Sequence, residues 1–285
     1  MPVLSIIACR ILEDELTHVL SLDRKLRHLI LVDNADGDGL SGKLRAEGRP
    51  HLVISRKEIP DLIEDLQNGN SNGFLKPLLN RFRIKVSENH RAQDLIVIVN
   101  VLKMALHSDS KVLREEVYRN ISDMSGFSDG ILLFYGLCGN SLANIGNDLG
   151  DLGCTIYFLT DAGEKRVDDC ISVALGGNKQ YEKTLRRFPA VGIYFTPMWA
   201  FNLKEIDKEV GKSSKSLSLG GMLNNLGYKK VAKLDTGLHY IRDFEVDSRI
   251  DDFADSYNLE VVSLRASSDI AEKCYKKARD SVVNG

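Results

Sequence analysis

Short runs of apolar, β-branched and aromatic residues recur along the chain at intervals that leave room for a helix between them. Val3 to Ala8, Leu29 to Asp33, His51 to Ser55, Ile131 to Tyr135, Thr155 to Leu159, Val191 to Phe195, Lys230 to Leu234 and Leu259 to Leu264 read as strands. Between most of them the apolar positions take helical spacing, over Leu12 to Leu22, Pro60 to Leu66, Lys111 to Met124, Cys170 to Phe188, Arg249 to Tyr257 and Ser268 to Val283. This alternation predicts an α/β protein with a mainly parallel sheet flanked by helices, in Rossmann-like doubly wound layers. The segment from Phe82 to Leu106 has two readings, because Ile96-Val97-Ile98-Val99 is β-branched while Val101 to Leu106 suits a helix. Asn68 to Gly73 and Gly211 to Ser216 are polar, small-residue stretches expected to be loops.

The chain has 285 residues, 43% hydrophobic and 27% charged, enough for one large α/β domain or two closely packed α/β halves, about 1–128 and 129–285. The formal charge is −2, from 38 basic and 40 acidic residues, so there is no general basic field to bind nucleic acid. The longest apolar run, Leu95 to Leu106, falls short of the ~20 residues a membrane-spanning helix needs and contains Asn100 and Lys103. No membrane association is expected. Met1 to Arg10 is apolar, without a basic leader, and meets Glu13, Asp14 and Glu15 almost at once, so it reads as a first core strand in a cytoplasmic protein. Five cysteines is an odd number, and a disulfide framework is not expected.

The positions of three cysteines carry the candidate chemistry. Cys9 ends the first strand, Cys138 follows the strand that runs into Tyr135-Gly136-Leu137, and Cys170 opens a helix after Asp168-Asp169. Such strand-to-helix junctions share one edge of an open parallel sheet, where ligands bind and distant residues converge. A helix amino terminus also favours thiolate, the form that ligates metal or attacks an electrophile. Gly136 and Gly139 would let backbone approach a bound group, and His107, just before Ser108-Asp109-Ser110, is a fourth donor. Around these, Tyr135, Asn140, Asp169, Thr196 and Trp199 are expected to line the same pocket. Cys154 leads into a strand on the opposite edge, and Cys274 lies inside the last helix. The plainer alternative is that each cysteine is a small apolar filler and His107 a hydrogen-bonded structural residue. There is no C-x-x-C pair, so the case rests on convergence.

Other motifs carry less. Gly37-Asp38-Gly39-Leu40-Ser41-Gly42 matches G-x-G-x-x-G, but the strand before it ends too early and Asp33, Asp36 and Asp38 would repel a pyrophosphate. It reads as a turn into a helix beginning near Leu40. Neither a G-x-x-x-x-G-K-[ST] phosphate loop nor a G-x-S-x-G elbow is present.

Taken in order, Ala8-Cys9, Ala105-Leu106-His107, Tyr135-Gly136-Leu137-Cys138-Gly139-Asn140, Asp169-Cys170 with Leu175-Gly176-Gly177, and Tyr194-Phe195-Thr196-Pro197-Met198-Trp199 resemble the archaeal and bacterial family called domain of unknown function 1638 (DUF1638). The resemblance spans roughly residues 3 to 200. The family pattern implies a cysteine at positions 9, 138 and 170 and a histidine at 107. This chain departs from it at Met198, where the pattern has glycine, and at Asp168-Asp169, where other members carry a proline-histidine or similar pair. Members of this longer form are similar to proteins of methanogenic archaea, and relatives accompany corrinoid-dependent methyltransferases. The resemblance therefore implies metal, sulfur or one-carbon chemistry, with a corrinoid protein or methyltransferase as partner and corrinoid itself as a conceivable cofactor.

Three functional expectations follow. The first is a site in which Cys9, Cys138 and Cys170, with His107, hold zinc or iron, or an iron–sulfur cluster, and assist methyl or sulfur transfer. The second is a metal-free thiol catalyst in which Cys138 attacks and Cys170 resolves. The third is a non-catalytic accessory protein docking on a methyltransferase.

Overall fold

The structure is a computed structural model and describes residues 1–68, 94–104, 106–150, 152–213, 218–238, 240 and 243–285, with backbone alone for 209–213 and 243. The first sheet contains β1 (Val3–Cys9), β2 (Leu26–Val32), β3 (Leu52–Ile54), β4 (Leu95–Leu102), β5 (Gly130–Phe134) and β6 (Thr155–Phe158). Its order is β3-β2-β4-β1-β5-β6, and every neighbouring pair is parallel. A smaller parallel sheet follows, in the order β7 (Val191–Phe195), β8 (Lys230–Asp235), β9 (Glu260–Arg265). The α/β, doubly wound expectation holds. The ambiguous segment contains a strand: β4 is buried at all eight positions between β2 and β1, which is why its apolar run shows no alternation.

The helices are α1 (Glu13–Leu22), α2 (Asp38–Ala46), α3 (Ile59–Asn68), α4 (Ser110–Ser125), α5 (Ile145–Asp148), α6 (Cys170–Ala174), α7 (Asn178–Arg187), α8 (Pro197–Phe201), α9 (Leu203–Ser213), α10 (Leu219–Asn225), α11 (Asp243–Ser256) and α12 (Asp269–Asn284). Alternate residues of β1 serve the two faces: Leu4, Ile6 and Ala8 pack with α1, α2 and α12, whereas Val3, Ile7 and Cys9 pack with α3 and α4. That second core continues without a break into the smaller sheet, through Phe195, Met198, Ile206, Val246 and Phe253. The sheets divide between β6 and β7, so a division near residue 128 falls between α4 and β5, inside the six-stranded sheet.

The helix expected over Cys170 to Phe188 is two helices, because Gly176 and Gly177 take φ +84° and +114°, values that end α6 and start α7 in a new direction. The loop expected from Asn68 lies, from residue 69 on, outside the described residues, and of the loop expected over Gly211 to Ser216, residues 211–213 close α9 while the rest also fall outside. The glycine motif at Gly37 is a 3-10 turn leading into α2.

One cluster was not foreshadowed by pattern. Glu13, Asp14 and Glu15 are each 1% exposed, and Lys43 of α2 reaches in to pair with Glu13 at 2.8 Å and Asp14 at 2.5 Å. Lys43 also donates to Met198 Sδ at 3.0 Å, so this charge bridges the first sheet to α8 beside the second. Among the described residues no helix is long and apolar enough to cross a membrane.

Candidate functional site

Strand order sets the site. The chain leaves β1 toward β2 on one side and leaves β5 toward β6 on the other, while β1 and β5 are neighbours. A crevice must open at their carboxyl ends, the position where doubly wound sheets bind ligands. Cys9 closes β1 at this point, 8% exposed, with its side chain on the α4 side of the sheet. Tyr135 and Gly136 continue from β5.

After β5 the backbone does not enter a helix. Leu137 N–H and Cys138 N–H donate to Val167 O and Asp168 O at 2.9 and 2.7 Å, clamping this strand exit to the segment that precedes α6. Cys138, Gly139 and Asn140 then take φ of +46°, +66° and +66° in succession. A non-glycine residue there costs roughly 1–2 kcal/mol, a strain that tends to be kept where a side chain must be aimed. The expectation of Cys138 at a helix start is thus corrected, since α5 begins only at Ile145. Gly136 is needed for a different reason: a Cβ there would stand 2.5 Å from Asp169 Cα and 2.7 Å from its N. Gly136→Ala should therefore push the two segments apart and cost about 1–3 kcal/mol in a denaturant titration, an overpacking penalty; unchanged stability would show that the clamp gives freely.

Across the clamp, Asp169 caps α6, its Oδ1 accepting from Ser172 N–H at 2.7 Å, and Cys170 is the first helical residue. Cys9, Cys138 and Cys170 meet along one cavity of about 510 Å³, which His107, Tyr135, Gly136, Gly139, Asp169 and Trp199 also line. Asn140 and Thr196 do not line it. Asn140 is exposed, and Thr196 is 1% exposed and caps α8 by accepting from Trp199 N–H at 3.2 Å. Pattern reading missed Tyr181, Tyr228, Ser110 and Ser141 on the cavity wall, and Tyr194 stands with them. Tyr181 follows a glycine break and Tyr228 follows Gly227, the only local hints.

The thiols are held protonated. Burial pushes Cys9 up to about 11, and it raises Cys138 and Cys170 further, helped by the negative charge each would feel from the other thiols and from Asp169. Burial outweighs the helix dipole here, which overturns the expected thiolate preference. Tyr135 is 4% exposed, its hydroxyl faces Cys9, and it has no settled hydrogen-bond partner. Removal from water lowers the His107 imidazole, opposed by the Asp169 carboxylate, although the residue keeps an exposed side at the cavity mouth. Its ring stacks on Trp199 with centroids 6.5 Å apart. All five cysteines are free; Cys154 stands apart from the cavity and Cys274 is packed against Thr160. Among the described residues no three His, Cys, Asp or Glu side chains already surround a common point as metal ligands would.

Neither the curated proteins nor the solved structures contain a match to this chain. The model of one family, described as "Protein of unknown function (DUF1638)", matches residues 101–275, a stretch that holds His107, Cys138, Cys170 and Trp199 but not Cys9. Because the match covers more than half of the chain, the protein belongs to the DUF1638 family.

Proposed function

We propose that this cavity is a soft-metal thiolate site, with Cys9, Cys138 and Cys170 as ligands to zinc or iron and His107 as the fourth donor. The observation that carries the reading is the meeting of three thiols, from three separate strand exits, in one cavity at the switch between β1 and β5. The donor set fits such an ion in kind, since sulfur ligands select zinc, copper(I) or iron over magnesium or calcium. Closing on a common ion requires the thiol side chains to swing together between rotamers. When bound, the metal would keep sulfur ligands deprotonated and polarise a substrate atom, which suits methyl or sulfur transfer. The chain's own groups orient that chemistry: the Tyr135 hydroxyl can donate to the Cys9 sulfur once it is charged, and Asp169 holds the mouth of α6 and faces His107.

Elemental analysis of protein purified without oxygen tests this. About one metal ion per chain is expected in the wild type and in Cys154→Ser, and none in Cys138→Ser. Cys154 is the better control than Cys274, whose sulfur accepts from Thr160 N–H at 3.2 Å inside the core. Equal metal in Cys138→Ser and Cys154→Ser would put the ion elsewhere and reject the reading, and no metal in remetallated wild type with a rapidly alkylated Cys138 would reject it in favour of a bare thiol.

A further inference from the structure

We infer that the aromatic side of this cavity, lined by Tyr181, Tyr194, Trp199 and Tyr228, takes an organic cation of the alkylammonium or sulfonium class. The inference rests on the same cavity being the ligand site, but on its aromatic walls and not on metal ligation. Tyr181 and Tyr194 both line it and stand edge to face, centroids 5.7 Å apart and planes at 87°. Trp199 and Tyr228 add two more rings to the lining. Aromatic faces hold a cation through the negative centre of the ring, and boxes of such rings are how proteins recognise quaternary ammonium groups.

Charge selects the same class. Among the described residues that line the cavity none is Lys or Arg. Asp169 supplies the one carboxylate of that lining. An anion entering would find no Lys or Arg to pair with and would face the Asp169 carboxylate. A bare inorganic cation would leave the aromatic and apolar walls, including Ile193 and Leu185, uncovered. A cation wrapped in methyl groups satisfies both, since its charge is spread over an apolar surface that fits a cavity of this size.

Trp199 is the single tryptophan of the chain and lines the cavity, so its fluorescence reports occupancy directly. Full-length protein is titrated with tetramethylammonium and choline, with 3,3-dimethyl-1-butanol as the uncharged isostere of choline and acetate as an anion, each with and without zinc. A saturable change is expected for both cations, with the neutral isostere binding about tenfold more weakly and acetate not at all. Tyr181→Leu, on the partly exposed side of α7, should weaken choline about tenfold while leaving zinc content unchanged. The inference is overturned if the neutral isostere matches choline, if Tyr181→Leu binds choline as the wild type does, or if no saturable signal appears. Choline binding that persists in protein unable to load zinc supports the aromatic site and rejects the metal alone.

Discussion

Zinc added to the metal-free protein at pH 7 should release about three protons per chain, one from each ligating thiol. The size of this effect follows from the number of neutral thiols that ligate. Cys9 is pushed up to about 11, and Cys138 and Cys170 go higher, so all three enter the reaction as neutral thiols. The contrast with an exposed cysteine would show at about pH 9, where an ordinary thiol is already largely ionised and releases less. Burial also predicts slow chemistry without metal: a rise of two pKa units leaves Cys9 about 100-fold less thiolate than an ordinary cysteine, and its alkylation should slow in proportion. Weakly buffered zinc titrations followed by indicator dye, with iodoacetamide rates read by mass spectrometry, check both statements. Release of less than one proton, or thiols at positions 9, 138 and 170 that alkylate as fast as Cys154, would be incompatible with the neutral, ion-ready cluster.

Glu15→Gln should stabilise the protein at alkaline pH and leave it unchanged in acid. Burial raises the Glu15 carboxyl from an ordinary 4.5 up to about 8, assisted by Asp14. Between those two values the folded chain keeps a proton that the unfolded chain gives up, so stability is full below about pH 4.5 and declines as pH rises toward 8. At 1.36 kcal/mol per unit the decline is bounded at roughly 5 kcal/mol, and relaxation around the site makes a value of about 2–4 kcal/mol the expectation. Glutamine has the same shape and no proton to lose, and the variant's curve should be flatter over this window. Urea titrations at intervals from pH 4.5 to 9 measure the difference directly. Parallel curves for the two proteins would mean that Glu15 finds a charge-compensating partner. Because Glu15 also raises Cys9 and Cys170, the substitution should ease their ionisation slightly.

How much of this was legible beforehand depended on whether the signal was local. Strands such as Val3 to Ala8 and Val191 to Phe195 were readable because a buried parallel strand needs little more than a short apolar run. The sheet edge that gathers Cys9, Cys138 and Cys170 was readable for a related reason, since strand-to-helix exits share an edge whatever the strand order. The rest is tertiary. Nothing near Cys138 announces that residues 137 and 138 pair with 167 and 168, and that pairing replaces a helix start by a left-handed turn. Glu13, Asp14 and Glu15 look like a solvent-facing helix entrance until Lys43, about thirty residues on, is placed against two of them. Thr196 offered a hydroxyl near the cavity, but its own helix uses it as a cap. The aromatic wall combines α7, β7, α8 and the turn before β8, which periodicity within any one element does not report.

The return of α12 to the first sheet has a consequence for synthesis. Between β6 and α12 the ribosome makes the whole of the smaller sheet, yet the cover that α1 and α2 begin over the face bearing Leu4, Ile6 and Leu132 is completed only when residues 269–284 arrive. Its seams are long in sequence: Tyr275 donates to Asp23 Oδ2 at 2.8 Å and Glu272 meets His18 at 3.0 Å, each across more than 250 positions. A nascent chain therefore carries a partly uncovered apolar face from the synthesis of β5 until α12 is made, and closing such distant contacts is slow. Chaperone dependence in the cell should fall on this interval, and a stalled chain that ends before Ile270 should be the species most prone to aggregate.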